Sequence, residues 1–178
     1  MDIDLALSTV LPDGVSCWTG ASLAALPSEA GTRLAALIDQ LGAASAHAQA
    51  IPAAFTSASK LRAAADHRLY VLVRARCVVG MLKVGVKHLF YWSNTGATSE
   101  LDPLCVLDFY VHESCQRAGL GRLLFDAMLA REGRAARACA YDRPSPKMLP
   151  FLARHFGLRE YTPQPNNFVV FEAYFSGE

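Results

Sequence analysis

The stretch that decides the fold is LCVLDFYVHESCQRAGLGRLLFDAML, residues 104–129. Its first eight residues carry a single charge, Asp108, among apolar, β-branched and aromatic side chains, which predicts a largely buried strand. From Leu120 the apolar residues fall at Leu120, Leu123, Leu124, Ala127 and Met128, the spacing of one helix face. Gly119 and Gly121 stand between the two, flanked by Arg117 and Arg122. A strand that turns into a helix through small residues presents unpaired backbone N–H groups at the helix start, where the helix dipole also favours anions. The reading is a phosphate cradle.

Two common cradles are excluded. A Walker loop closes on G-K-[ST], and here Gly121 is followed by Arg122 and Leu123. A dinucleotide fingerprint needs a small residue where Leu124 stands, because helix and strand pack closely there. What fits is Q-x-x-G-x-G at residues 116–121, directly after a strand. It resembles the acetyl-coenzyme A loop of the GNAT superfamily of N-acetyltransferases. The six residues alone leave an ordinary strand–turn–helix open as the plain alternative.

At 178 residues the chain predicts one domain, residues 1–178, with enough core to need no staple. Hydrophobic residues at 52% against charged residues at 19% exclude a disordered chain. No apolar run approaches the roughly 18 residues that span a bilayer. Asp2 and Asp4 stand where a secretory signal would be basic. An intracellular protein with no membrane partner is expected. The cysteines, Cys17, Cys77, Cys105, Cys115 and Cys139, form no C-x-x-C pair, and the histidines are scattered, so no disulfide framework or metal site is expected. A net charge of +1 gives no argument for nucleic acid. Between Arg117 and Arg154, however, Arg117, Arg122, Arg131, Arg134, Arg137, Arg143, Lys147 and Arg154 outnumber Asp126, Glu132 and Asp142. That bias suits a polyanionic ligand, although a solvated helix face is preferred for Arg131, Arg134 and Arg137.

Residues 1–28 show little beyond a Pro12-Asp13-Gly14 turn. A helix is predicted over 32–49, with Leu34, Leu37, Ile38 and Leu41 on one face. Strands are predicted over 68–75 and 77–92, followed by a polar loop over 93–102 and a short strand over 138–141. Ser145 as N-cap, Pro146 at the first helical position and Gly157 as the stop predict a helix, with Pro150 anomalous inside it. A closing strand is predicted over 168–175. The order describes an α/β layer fold with a mixed sheet.

Longer strings narrow the resemblance to one branch of the superfamily. PLCVLDFYVHESCQRAGLGR (103–122), YDRPSPKMLPFL (141–152) and PQPNNFVVFE (163–172) are similar to the α-tubulin N-acetyltransferases. So are ASAHAQAI (44–51), TSASKLR (56–62) and LKVGVKHLF (82–90). The matches run in order from about residue 30 to 175; Pro146, Pro150 and Leu120 depart from the family strings. The resemblance implies a GNAT-like α/β (α+β) fold with a mixed, mostly antiparallel central sheet flanked by helices. It implies transfer of acetyl from acetyl-CoA to the ε-amino group of a lumen-facing lysine of α-tubulin in microtubules. The partner would be the cytoplasmic microtubule, including that of a cilium or flagellum. The alternatives are a GNAT-fold acetyltransferase for another amine, or a non-catalytic module that binds microtubules or coenzyme A.

By the same resemblance, Phe109, Tyr110, Val111 and His112 would meet the pantetheine arm, with hydrogen bonds at the Phe109 and Val111 edge. Gln116, Arg117, Ala118, Gly119, Leu120, Gly121 and Arg122 would hold the pyrophosphate. Ser145, Lys147, Met148, Phe151, Leu152 and Arg154 would form the other wall of the coenzyme site. Cys105 and Asp142 are the implied bases, Cys105 also a possible nucleophile as its thiolate, and Gln49 is implied to matter for activity. Taken singly, Cys105 reads equally as a buried small hydrophobe, Asp142 as a turn cap and Gln49 as a helix-terminal polar residue. Lys83 and Lys87, two positions apart on one strand face, suit an acidic protein partner or a solvated face. Asp108, alone in a buried strand, must have a partner.

Overall fold

The computed structural model describes residues 1–2 and 5–176. Asp4, and Gly177 and Glu178 at the end of the expected domain, lie outside the described residues. The first half of the chain forms α1 (Leu5–Ser8), β1 (Gly14–Trp18), α2 (Gly20–Ala24), α3 (Ser28–Ala48), α4 (Ala58–Ala63), β2 (Arg68–Arg74) and β3 (Cys77–Val86). The second half forms β4 (Leu89–Trp92), β5 (Thr98–Leu101), β6 (Leu104–Val111), α5 (Leu120–Glu132), β7 (Cys139–Asp142), α6 (Met148–Phe156) and β8 (Phe168–Val170). Two compact units result: Met1–Lys83 with Asp108–Met128, and Val84–Leu107 with the chain from Leu129 onward. Both contain parts of β3 and β6.

In the first unit the strands run in the order β1-β2-β3-β6, with β1 antiparallel to β2 from Gly14↔Val73 to Trp18↔Leu69. The turn from β2 to β3 puts Ala75 and Arg76 in left-handed backbone, φ 49° and 61°. Their N–H groups are taken by the Asp13 carboxylate at 3.0 and 3.2 Å, which gives the Pro12-Asp13-Gly14 turn its use. The unreadable N-terminal residues contain α2, opened by a reciprocal cap between Thr19 and Ser22. α3 starts at Ser28, four residues before the sequence prediction. Pro27 sets the extended entry, and Thr32 turns its hydroxyl onto the Ser28 carbonyl at 2.8 Å instead of capping. Its inner face, Leu34, Leu37, Ile38 and Leu41, packs with Leu61, Leu69, Val71, Val73, Val78 and Met81. Fully burying each such side chain contributes about 1.5–3 kcal/mol. On α5 the buried residues are Leu120, Leu124, Phe125 and Met128, while Leu123 is 44% exposed. The apolar stripe therefore runs through Phe125, not through the expected Leu123.

In the second unit β6 pairs in parallel with β7, Leu104↔Cys139 to Val106↔Tyr141, and β7 pairs antiparallel with β8, Ala140↔Val170 to Asp142↔Phe168. The sheet is thus mixed. The single strand expected over 77–92 is two, because the chain breaks at Lys87 and His88 and β4 leaves the main sheet. β4 pairs with β5, which occupies the expected polar loop, in a separate two-stranded sheet. The expected strand 168–175 ends at Val170 and passes into a 3₁₀ turn, Glu172–Tyr174. α6 begins at Met148, with Lys147 in the capping position and no side-chain cap from Ser145. Pro150 then falls in the first turn, where its missing N–H costs no helical bond, and the anomaly disappears. Gly157 ends α6 as expected, at φ 71°.

Candidate functional site

Where β6 ends, the chain makes a 3₁₀ turn, Glu113–Cys115, held by Ser114 N–H donating to His112 Nδ1 at 3.3 Å. Gln116 reaches back, its Nε2 donating to the Val111 carbonyl at 2.9 Å. Gly119 sits at φ 77°, and a Cβ there would meet nothing within 4 Å, so glycine answers to backbone angle alone. Gln116, Arg117, Ala118 and Gly119 are exposed. The first helical bond of α5 runs from Leu123 N–H to the Gly119 carbonyl at 3.0 Å. The N–H groups of Leu120, Gly121 and Arg122 precede it at the positive end of the helix dipole. Arg122 also pairs with Asp126, one turn on, at 2.7 Å. The turn of residues 116–119 is exposed and leads into these main-chain N–H groups, an arrangement that can receive an anion.

Backbone direction along β6 follows from two contacts. His112 N–H donates to the Val79 carbonyl at 2.8 Å, and the Tyr110 carbonyl lies against Gly80. Even-numbered residues at this end of β6 therefore turn their polar backbone groups toward β3, and Phe109 and Val111 turn theirs to the opposite edge. β7 pairs with β6 only as far as Val106, so Phe109 and Val111 lie beyond that ladder. On that edge the Val111 carbonyl is taken by Gln116. Tyr110 is corrected. Its backbone faces β3, its ring is 6% exposed, and its hydroxyl donates to Glu113 at 3.1 Å. Burial, reinforced by that carboxylate, pushes the phenol up to about 12. His112 serves as the cap of the 3₁₀ turn, and the Leu120 side chain is core.

Asp108 has its partners in the same unit. One carboxylate oxygen accepts from Ser45 Oγ at 2.7 Å and from Gln49 Nε2 at 3.3 Å; the other accepts from Thr56 Oγ1 at 2.6 Å. Gln49 Nε2 also donates to Ser45 Oγ at 2.8 Å. Ser45 and Thr56 were not singled out from sequence. The available signal was Ser45 and Gln49 one helical turn apart beside a strand with one buried charge.

In the second unit Asp142 is the last residue of β7, its side chain 21% exposed, with Arg143 Nε 3.8 Å from Oδ1. Arg143 and Asn167 both take left-handed backbone, φ 41° and 62°, and Arg143 N–H donates to the Asn167 carbonyl at 3.0 Å. Two strained non-glycine residues cost of order 1 kcal/mol each and fix the strand end that carries Asp142. Asn166 accepts from Phe168 N–H at 3.0 Å and donates to the Phe90 carbonyl at 3.2 Å, a loop-bracing role.

Cys105 is 0% exposed, packed with Leu89, Tyr91, Leu107, Ala140 and Val170, its thiol donating to the Pro103 carbonyl at 3.5 Å. Burial pushes the thiol up to about 12; the Lys87 backbone N–H opposes the shift and the Asp142 charge adds to it. Burial and the upward shift both oppose a thiolate at Cys105 near neutral pH. On α6 and before it, Met148 and Leu152 are also corrected, since their side chains are buried at 7% and 0% exposure. Lys147 and Arg154 are exposed and Ser145 and Phe151 half-buried, so these four can meet a ligand.

Lys83 is corrected too. It is 4% exposed and its Nζ donates to the Phe55 carbonyl, so it braces the segment after α3 and presents no charge to a partner. Lys87 remains half-exposed. Among the described residues no group of three or more His, Cys, Asp or Glu side chains could hold a metal ion. No described helix is long and apolar enough to cross a membrane.

Residues 4–178 match the family described as GNAT acetyltransferase, Mec-17. The chain belongs to this family. Curated relatives agree. The alpha-tubulin N-acetyltransferase of Leishmania major is 49% identical over 181 residues, covering 94% of this chain and 74% of the relative. That of Tetrahymena thermophila is 44% identical, covering 89% and 39%, and alpha-tubulin N-acetyltransferase 1 of Danio rerio is 50% identical, covering 78% and 48%. Among solved structures, the xEco2 acetyltransferase domain bound to a CoA conjugate superposes with a TM-score of 0.59 at 15% identity, covering 91% of this chain and 95% of that one. An aminoglycoside acetyltransferase from a soil metagenomic sample gives 0.51 at 15% identity, covering 84% and 93%. These two establish the GNAT fold.

Proposed function

We propose that this chain transfers an acetyl group from acetyl-CoA to the ε-amino group of a lysine of α-tubulin, the lysine that faces the microtubule lumen. The observation that carries this reading is identity of 44–50% to alpha-tubulin N-acetyltransferases over most of the chain. Residues 1–178 act as one acetyltransferase domain, in the cytoplasm with the cytoskeleton, microtubules of cilia or flagella included.

The donor's chemistry fits the residues present. A pyrophosphate needs N–H donors and positive charge, which the start of α5 supplies through Gly119, Leu120, Gly121 and Arg122, with Arg117 beside them. The pantetheine amides need a strand edge, which Phe109 and Val111 supply.

At neutral pH a lysine with pKa about 10.4 carries a free lone pair in only on the order of one molecule in a thousand. Transfer therefore needs a proton acceptor. The amine nitrogen attacks the thioester carbonyl, the C–S bond breaks, the thiolate of coenzyme A leaves, and the amine's proton passes to Asp142, directly or through water. Cys105, protonated and sealed, packs the strand beside it. Incubation with acetyl-CoA and polymerised tubulin, followed by mass spectrometry of both proteins, tests the reading. Acetyl on an α-tubulin lysine is expected. No acetyl on tubulin, or faster acetylation of spermidine, overturns it.

A further inference from the structure

The hydrogen bonds around Asp108 do more than neutralise a buried carboxylate. Ser45 has one hydroxyl proton, and it goes to Asp108 at 2.7 Å. Its oxygen then has only lone pairs to offer Gln49, which meets it with Nε2 at 2.8 Å. Asp108 Oδ1, 3.3 Å from the same Nε2, is a second acceptor. Both neighbours of that end of Gln49 thus select its NH₂ group. A carboxamide turned by 180° would set its carbonyl oxygen against two acceptors and leave its donors unmet. The Gln49 Oε1 is therefore directed away from Asp108.

The rest of the unit holds this arrangement still. Gln49 is the C-cap of α3, and its backbone N–H donates to the Ser45 carbonyl at 3.1 Å. Thr56 closes on the other carboxylate oxygen at 2.6 Å. Its own segment is braced by Lys83 on the Phe55 carbonyl and by Asp39, which accepts from Ala58 N–H at 2.8 Å. Gly42 lets α3 approach that segment, since a Cβ there would lie 1.9 Å from the Thr56 carbonyl oxygen.

We propose that Asp108, together with Ser45 and Thr56, is a positioning residue that locks the Gln49 amide with its oxygen outward, as the acceptor for an N–H of the incoming lysine amine. The inference rests on the acetyl-transfer reading and on Gln49 taking part in it. No covalent bond changes at Gln49; it supplies one oriented acceptor.

The test is a double-mutant cycle with polymerised tubulin and saturating acetyl-CoA. Asp108→Asn lets the amide sample both orientations, so kcat should fall about tenfold while acetyl-CoA affinity stays within about twofold. In a Gln49→Ala background the same substitution should change kcat by less than about twofold, because the group it positions is gone. Independently of activity, the Gln49 side-chain amide protons, identified by their absence from Gln49→Ala, should exchange with water slowly in wild type. In Asp108→Asn they should exchange at least about tenfold faster. Ser45→Ala should repeat both effects at smaller scale, and it carries the test if Asp108→Asn does not fold. Losses that multiply in the double variant would make Asp108 a packing residue only and overturn the proposal. A fast-exchanging Gln49 amide in wild type overturns the orientation itself. Full kcat in Gln49→Ala overturns the link to the reaction while leaving tubulin acetylation by the wild type standing, whereas a wild type that leaves tubulin unmodified overturns the functional reading first.

Discussion

Asp142→Asn removes a carboxylate at the end of β7 while keeping side-chain volume, so it isolates proton transfer from packing. Two numbers set the expected size. At pH 7.5 a lysine of pKa about 10.4 is neutral in roughly one molecule in 800. The other base implied by the resemblance, Cys105, has its thiol pushed up to about 12, which leaves roughly three thiolates in 10⁵ at that pH. Cys105 cannot stand in. The variant should lose at least about 10² in kcat, the lower end for a positioned general base, with acetyl-CoA affinity unchanged. Its rate should climb close to tenfold per pH unit as more lysine deprotonates, whereas wild type levels off at the base's own pKa. Steady-state acetylation of polymerised tubulin between about pH 6 and 9, quantified by mass spectrometry, reads this directly. Parallel profiles that differ only in height would refute proton transfer to Asp142. A steep rise that survives in Asp142→Asn but disappears in Cys105→Ala would refute the silent thiol.

Gly119→Glu should weaken acetyl-CoA binding by at least about 100-fold in calorimetric titration, since its carboxylate competes for the α5 N–H groups. Gly119→Ala, which meets open space, should cost only about 1 kcal/mol of backbone strain. Lys83→Met should lower urea-unfolding stability by about 1–3 kcal/mol with KM for tubulin unchanged, because its bond to Phe55 is internal. Lys87→Glu should do the reverse, raising KM most at low salt. Alkaline stability follows from Cys105: its proton is held more tightly in the folded chain, so the stability it contributes is full below pH 9 and lost as pH rises from 9.0 toward about 12. Cys105→Ala should flatten that limb of the urea-midpoint profile by at most roughly 1.4 kcal/mol per pH unit, leaving the same-signed part from Cys139.

The strand–turn–helix of residues 104–132 was legible because its cause is local. The glycines and Gln116 follow a strand directly, and no tertiary contact is needed to place them. Secondary structure failed where tertiary pairing overrides pattern. Residues 77–92 read as one apolar run, yet the break at Lys87 and His88 is decided by β4 finding β5, a segment with no apolar signal of its own. Lys83 looked like a solvated charge because alternation cannot see that a backbone carbonyl waits on the other side. Asp108 announced that it needed a partner but not which, since Ser45 and Thr56 are 63 and 52 residues away in sequence. For α6, Ser145-Pro146 promised a cap, and the helix began later because Ser145 spends its carbonyl on a turn to Met148 at 2.9 Å.

The alternation that turns Phe109 and Val111 toward the edge of β6 has an evolutionary consequence. Main-chain N–H and C=O groups are the same in nearly every residue, so a surface made from them is not altered when side chains are exchanged. Only proline, which deletes an N–H, or a change of register can erase it. An edge of this kind tolerates drift at every side chain along it. Surfaces built from side chains, such as the Ser45, Thr56 and Gln49 shell around Asp108, have no such tolerance, because one substitution there removes a hydrogen bond.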